Sequence, residues 1–377
     1  MVDAIVIGGG LSGLQAAWQL QRAGLKVSLL EARPRFGGRV MTLEVEDGAA
    51  CDLGPSWFWP GQPMVARLLN DLNIPFFEQY ADGALLFQYV DGAVVKASDP
   101  SPMSGSYRME GGVGRLTQAI ANQIDPDTRF LNHVVAGLTI EGDAVVVHSS
   151  APSGTKAMRA QRVAVAMPPR LAAELTYAPD LPTGVQQALS ATPTWMAGHA
   201  KFFALYEEPF WRSQGLCGTA ISRRGPLAEI HDASPSSGEK GALFGFAGLD
   251  AQTRASMGQT ELIRQATQQL VTFLGEQAGR PTAVHLQDWS AESFTAGADD
   301  RRPQTRHPQY GLDLQLGSAW AGKLDFISSE TSFSNGGLIE GALESGLSYA
   351  RLLIGSDASP GAEPMTPHNA SMDWDWL

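Results

Sequence analysis

Residues 4–31 constrain this chain more than any other stretch. Ala4-Ile5-Val6-Ile7 is a short apolar run of the kind a fully buried strand needs, and Gly8-x-Gly10-x-x-Gly13 follows it at once. Leu11 to Ala23 sets Leu14, Ala17, Trp18 and Leu20 near one helical face; Gly24 stops it, and Lys26 to Leu30 is a second apolar run ending at Glu31. A strand, a helix and a strand in this order require a right-handed crossover and a parallel sheet. Each glycine has its own duty: Gly8 makes the tight turn, Gly10 lets backbone approach a pyrophosphate, and Gly13 lets helix and strand pack closely. The pyrophosphate would sit on free N–H groups at the helix N-terminus. Glu31, about 20 residues beyond Gly10, is placed to accept hydrogen bonds from both ribose hydroxyls, and its charge would repel a 2′-phosphate. The pattern predicts an adenine dinucleotide and leaves FAD and NAD both open.

Composition narrows the remaining choices. A chain of 377 residues suits about two domains. A net charge of −12 argues against a phosphate-backbone partner, so no nucleic acid is expected. Two cysteines, Cys51 and Cys217, and seven histidines without metal-ligand spacing give neither a disulfide framework nor a metal site. Met1-Val2-Asp3 lacks the basic start of a signal peptide, and no run approaches the ~18 apolar residues of a membrane span. The expectation is a soluble cytoplasmic protein with no membrane contact. Its oligomeric state stays open.

Further along, Val65–Leu72, Glu261–Leu274 and Leu338–Ile354 have helical spacing, and Asp91-Gly92 and Gly142-Asp143 read as hairpin turns. Arg162–Ala166, stopped by Pro168-Pro169, reads as a strand, as do Lys201–Tyr206 and Ala242–Phe246. The stretch after Glu31 is unusual: Ala32-Arg33-Pro34-Arg35-Phe36-Gly37-Gly38-Arg39 follows the ribose-binding acid where a nicotinamide-binding domain would continue into its next helix. The glycine pair lets main chain lie against a ligand, and the arginines can meet phosphate charge.

Arg35-x-Gly37-Gly38-Arg39 after Glu31-Ala32 resembles the signature of the flavin-containing amine oxidase family, which includes monoamine, polyamine and L-amino acid oxidases. The resemblance runs in family order through Asp52-Leu53-Gly54-Pro55-Ser56-Trp57, Gly111-Gly112, Ala166-Met167-Pro168-Pro169, Lys201, Pro209-Phe210-Trp211, Asp288-Trp289, Ser329-Glu330-Thr331 and Gly336-Gly337-Leu338-Ile339-Glu340-Gly341-Ala342. It covers nearly the whole chain, which is short for the family. It implies an α/β (α+β) architecture: a Rossmann-like FAD-binding domain with a parallel sheet, interleaved with a substrate domain of mixed sheet plus helices. The limits implied are 1–62, 108–170 and 312–356 for the FAD domain, 63–107 and 171–311 for the substrate domain, and 357–377 for a polar tail.

By that resemblance Gly8, Gly10, Leu11, Ser12 and Gly13 surround the pyrophosphate, and Glu31 with Ala32 the adenosine ribose. Arg33 and Arg39 lie along the phosphates, Gly37 and Gly38 pass the ribityl chain or flavin, and Gly54, Pro55, Ser56 and Trp57 continue the cofactor path. Val135 matches the valine whose main chain pairs with adenine. Ser329 and Glu330 meet the ribityl or phosphate end, while Gly337, Leu338 and Ile339 aim N–H groups of the last helix at the flavin, where they favour negative charge. Plainer readings stand beside these: Arg33 as a solvated surface charge, and Trp57 and Trp289 as core aromatics.

The resemblance also has gaps. The family lysine that holds a water near the flavin is matched on the loop His231-Asp232-Ala233-Ser234-Pro235, where Ser234 takes its place. Leu338 replaces one ring of the family's aromatic pair, and around Ala298 there is neither the second ring nor a cysteine. FAD is therefore expected to be bound without a covalent link. The catalytic candidates are His231, Ser234, Trp289 and Lys201, with His231 also readable as a structural histidine and Lys201 as a strand-edge residue. The expected chemistry is hydride transfer from the α-carbon of a neutral amine to FAD, with dioxygen as acceptor and hydrogen peroxide as product. Two alternatives remain: a C–C dehydrogenase or dihydronicotinamide oxidase of the same fold, and a flavin-binding protein whose catalysis has decayed.

Overall fold

Ala4 to Ile7 and Val27 to Leu30 have no polar side chain except Ser28, and such strands are stable only when covered on both faces. In the computed structural model, which describes residues 1–45, 50–302, 304 and 306–355, they are neighbouring inner strands of an eight-stranded sheet. The expected tail at 357–377 falls outside the described residues. Strand β1 (Val2–Ile7) pairs in parallel with β2 (Val27–Leu30) on one side and with Gly154–Val165 on the other. Helix α1 (Leu11–Arg22) connects β1 to β2 and packs against the last helix, Ile339–Ile354. That contact is close because Gly346 faces the backbone of α1: a Cβ there would lie 2.3 Å from the Ser12 carbonyl oxygen.

The hairpin predicted at Gly142-Asp143 joins Val134–Glu141 to Ala144–Ala151, and the latter pairs with a strand longer than Arg162–Ala166, running from Gly154 to Val165. Residues 171–191, read from the sequence as part of the substrate unit, pack on this first sheet. Thr176–Ala178 adds to its edge, and Ala172, Val185 and Leu189 enter its core.

A second, seven-stranded sheet runs in the order Ala283–Asp288, Ala200–Tyr206, Gly241–Ala247, Leu227–Asp232, Leu216–Ser222, Ala84–Gln88, Val94–Ala97. Side chains alternate along each strand. Phe202 and Ala204 point to one face, where Ala266, Leu270 and Phe273 of helix Gln259–Leu274 cover them. Phe203 and Leu205 point to the other, and pack there with Cys51, Leu53 and Phe244. Lys201 shares the period of Phe203 and Leu205, so it lies on that same inner face, against Gly54 and Ser56. This inner face of the second sheet, opposite the carboxyl ends of β1 and β2, forms the wall of the site.

Candidate active site

The turn after β1 is built as the glycine spacing predicts. Gly8 has φ 107°, open to glycine, and a Cβ on it would come within 2.5 Å of the Ala166 carbonyl oxygen. A Cβ on Gly13 would lie 1.9 Å from the Gly8 carbonyl oxygen, so the third glycine serves the contact between α1 and β1. Gly10 differs: its φ of −74° suits any residue, and a Cβ would find nothing nearer than the Gly37 carbonyl oxygen at 3.9 Å. The space in front of Gly10 is open cleft. Glu31, buried at the end of β2, takes the Gly9 N–H on Oε2 at 2.6 Å and the Arg33 N–H on Oε1 at 2.9 Å, which fixes the carboxylate at the rim of that space.

From there one continuous cleft runs between the two sheets. Its first end is lined by Gly8, Gly10, Leu11, Ser12, Glu31, Ala32, Arg33 and Val135, its middle by Gly37, Gly38, Arg39 and Ser329, and its far end by Gly54, Pro55, Ser56, Trp57, Lys201, Trp289, Gly337, Leu338 and Ile339. Four residues expected in the site do not line it. Gly13 lies behind the turn for the packing reason above. Glu330 is fully buried and accepts a bidentate contact from Arg39, at 2.6 and 3.1 Å, so it acts on the cleft through Arg39, whose Nη2 also reaches Ser329 Oγ at 2.9 Å. His231 is buried behind Trp57, whose ring meets it edge-on at 5.0 Å, and its Nε2 is 3.1 Å from Glu229. Ser234 is buried further back, where its Oγ accepts the Ala242 N–H at 3.1 Å and its carbonyl oxygen accepts from Arg108 at 2.8 Å. None of residues 231–235 lines the cleft, so that loop supplies no basic group to it.

Lys201 brings a basic nitrogen to the far end of the cleft. It is not at a sheet edge: its strand is paired on both sides, with Gly241–Ala247 and Ala283–Asp288. Its Nζ donates to the Gly54 carbonyl oxygen at 2.9 Å and to Ser56 Oγ at 2.6 Å, and lies 3.8 Å from the centre of the Phe244 ring. Burial pushes Lys201 down to about 7; Asp52 opposes that shift and Arg108 adds to it. A neutral amine has two N–H bonds, and Gly54 and Ser56 accept two. Its lone pair is then free for a third direction.

Arg33 is not a surface charge. It is buried, with Nε and Nη2 on Glu292 Oε2 at 3.1 and 2.8 Å and Nη2 on Thr295 at 2.8 Å. Trp289 gives its indole N–H to the Leu53 carbonyl oxygen at 2.8 Å, and Trp57 gives its own to Gln79 at 2.8 Å. Both rings are thus held as cleft walls by their polar ends.

Sequence reasoning missed several lining residues. Trp195 reaches the cleft from a turn in which Met196 takes φ 62°, in the left-handed region, and the same turn brings in His199, which the sequence does offer as a titratable candidate. Burial, with Arg254 adding to it, pushes His199 down to about 4, and its Nδ1 has no partner. Phe246 and Glu229 come from neighbouring strands. The only signal that could have found these two is strand register: Phe246 pairs with Lys201 on one side and Glu229 on the other. Neither Cys51 nor Cys217 lines the cleft, so no cysteine thioether can form there. No helix among the described residues is long and apolar enough to cross a membrane.

The cleft suits a long dinucleotide on the evidence of its open Gly10 turn, its fixed Glu31 carboxylate and two helix N-termini, those of α1 and of Ile339–Ile354, that open on it. Comparison with known proteins agrees. The family model described as flavin containing amine oxidoreductase matches residues 11–104 and 95–354. A probable flavin-containing monoamine oxidase A of Dictyostelium discoideum is 24% identical over 93% of this chain and 97% of its own length, and a putrescine oxidase of Kocuria rosea is 23% identical over 96% and 97%. Among solved structures, cyclohexylamine oxidase from Brevibacterium oxydans superposes with a TM-score of 0.79 at 20% identity, covering 94% of this chain and 98% of that one. A wild-type putrescine oxidase bound to putrescine superposes at 0.78 and 22%, covering 94% and 99%. The chain belongs to the flavin-containing amine oxidoreductases, and it is an FAD-dependent enzyme of that family.

Proposed function

We propose that the cleft holds FAD without a covalent bond and oxidises an amine at the end bounded by Lys201, Trp57, Trp289 and Phe246. Bound FAD supplies the two-electron acceptor, and dioxygen returns it to the oxidised state with formation of hydrogen peroxide. Gly8, Gly10, Leu11 and Ser12 would face the pyrophosphate, with Gly13 holding the turn behind them; Glu31 and Ala32 the ribose; Val135 the adenine; and Arg39, supported by Glu330 and Ser329, the central phosphate or ribityl stretch. Gly337, Leu338 and Ile339 would offer N–H groups of the last helix to the ring.

The observation that carries the reading is Lys201. An amine reaches the enzyme as an ammonium and must lose a proton before its α-hydrogen can leave as hydride. A lysine held near 7 by burial, with both N–H bonds engaged by Gly54 and Ser56, has a lone pair to take that proton, directly or through a water. Removal of the substrate nitrogen from water on entering the cleft disfavours its cationic form in the same sense. The case for a decayed flavoprotein draws on the missing lysine and on the missing aromatic pair, and Lys201 removes the first of these grounds. We also place the enzyme in the cytoplasm, where two buried free thiols are stable.

The test is anaerobic mixing of the yellow protein with amines, amino acids, reduced nicotinamides and hydroaromatics. Bleaching by amines, with peroxide formed on admitting air, is expected. Bleaching by reduced nicotinamides or hydroaromatics alone, or by nothing, overturns the proposal.

A further inference from the structure

A turn that leaves the second sheet stands over the adenosine end of the cleft. After Ala283–Asp288 the chain makes the short helical turn Trp289–Ala291 and reaches Glu292. The Glu292 carbonyl oxygen accepts the N–H groups of Thr295 and Ala296 at 2.8 and 2.9 Å, so residues 292–296 form one compact turn. Phe294 and Thr295 line the cleft, and Phe294 is also 38% exposed, which sets it between the cleft and solvent. Both ends of the turn are anchored. Trp289 gives its N–H to the His199 carbonyl oxygen at 3.0 Å and its indole N–H to Leu53. Gly297 gives its N–H to Asp300, a buried carboxylate that Arg170 and the Thr194 N–H also hold.

Between those anchors, among the described residues, Arg33 makes every hydrogen bond that ties the turn to the first sheet. Its Nε and Nη2 donate to Glu292 Oε2 at 3.1 and 2.8 Å, Nη2 donates to Thr295 Oγ1 at 2.8 Å, and the guanidinium lies 5.5 Å from the centre of the Phe294 ring. Arg33 is the fixed half of this contact: its N–H is on Glu31 Oε1, and its carbonyl oxygen accepts the Asn132 N–H at 3.1 Å. The Glu292 side chain is 36% exposed, and an ion pair with one partner still in water separates at little cost. A dinucleotide with its ribose on Glu31 and its adenine on Val135 would lie under Phe294 and Thr295. It could not pass sideways into or out of the cleft while the turn is in place.

We infer that residues 292–296 are a latch over the adenosine end of FAD, held shut by Arg33 and Glu292, and that its opening sets the rates at which FAD enters and leaves. The latch opens when Glu292 and Thr295 part from Arg33 and the turn swings between its anchors at Trp289 and Gly297, while Arg33 stays with Glu31. The same contact closes the free and the loaded protein. Weakening it therefore raises the open fraction before and after binding by the same factor, so both rates rise together and the equilibrium affinity changes little. A side chain that only touches FAD behaves otherwise, because losing a ligand contact speeds release and leaves entry as it was. The inference rests on FAD lying in this cleft without a covalent bond, and adds how it is retained.

The experiment compares wild type with Glu292→Gln, which keeps the size of the side chain and removes its charge; a cooperative thermal melt establishes that the variant is folded. Uptake of FAD by the apoprotein is followed by flavin fluorescence in stopped flow, and release by exchange of the holoenzyme with excess 5-deaza-FAD, read by absorbance. Loss of this half-exposed charge pair should raise both rate constants about 10-fold and leave Kd within about 3-fold of wild type. A second arm needs no variant: added salt screens the pair, so it should speed both uptake and release in wild type, and more than in Glu292→Gln. Faster release with unchanged uptake, or no change in either rate, overturns the latch and leaves the FAD site standing. Apoprotein of the wild type that takes up no FAD overturns the cofactor reading itself.

Discussion

Gly10 and Gly13 belong to one motif, yet the structure assigns them opposite vulnerabilities. At Gly10, φ −74° and ψ 178° are ordinary extended values, and a Cβ would meet nothing within 3.9 Å. Gly10→Val should then cost the fold only what an apolar residue costs at a helix N-cap, about 1 kcal/mol, or roughly 1–2 °C in the melting temperature of the apoprotein. The added methyls would project into the space in front of the Gly37 carbonyl, through which a pyrophosphate must pass to reach the N–H groups of α1. Losing two charge-assisted hydrogen bonds of about 1.5–3 kcal/mol each would weaken FAD binding by roughly 10²- to 10⁴-fold. At Gly13 a Cβ would lie 1.9 Å from the Gly8 carbonyl oxygen, so even Gly13→Ala must push α1 off β1, at a cost above the ~4 kcal/mol that marks exceptional substitutions. Purified variants are compared by the ratio of flavin to protein absorbance and by thermal melting monitored by circular dichroism. The expected result is a colourless, cooperatively melting Gly10→Val and a Gly13→Ala that fails to accumulate or melts far lower. A yellow, fully loaded Gly10→Val refutes the cofactor path, and a normally stable Gly13→Ala refutes the packing argument.

Lys201→Met should change how stability depends on pH. The unfolded chain keeps this lysine protonated up to its ordinary 10.5, whereas the folded one releases the proton near 7, so between those values the unfolded state binds more protons and stability rises with pH. The apoprotein of Lys201→Met should lose that rise; a melting temperature that climbs between pH 7 and 9 as steeply as in wild type counts against a depressed lysine. Arg39→Ala strands Glu330, which is fully buried, and should cost about 3–5 kcal/mol together with flavin content, read by thermal melting and absorbance. An unchanged melting temperature would mean that the pair carries no load. Acid precipitation should release all of the flavin colour to the supernatant, because neither cysteine lines the cleft; colour retained in the pellet would contradict this.

The two ends of the cleft differ in how far they can be read without a structure, and the cause is physical. At the dinucleotide end the ligand would meet main chain: a turn, a strand end and helix N-termini. Such sites demand glycine or a lone acid at short, fixed spacings, so Gly8, Gly10, Gly13 and Glu31 are visible along some two dozen residues of local sequence. At the other end side chains do the work, and they are brought together by pairing between distant strands. Lys201 is indistinguishable in sequence from a solvated edge lysine until Ala283–Asp288 closes the sheet beside it. Ser234 is a plausible site residue until the Gly241–Ala247 strand takes its hydroxyl as a backbone acceptor. Glu229 stands beside Phe246 only because a register irregularity falls between Leu227 and Glu229; pairing shifted by one residue would present Ala228 or Ile230 in its place. The register that buries Phe203, Leu205 and Phe244 on the inner face is therefore the same one that sets a base and an acid on either side of one phenyl ring. Selection for a packed sheet alone would fill that row with apolar residues. Two ionisable groups in it, both lining the cleft, are the mark of chemistry on this face.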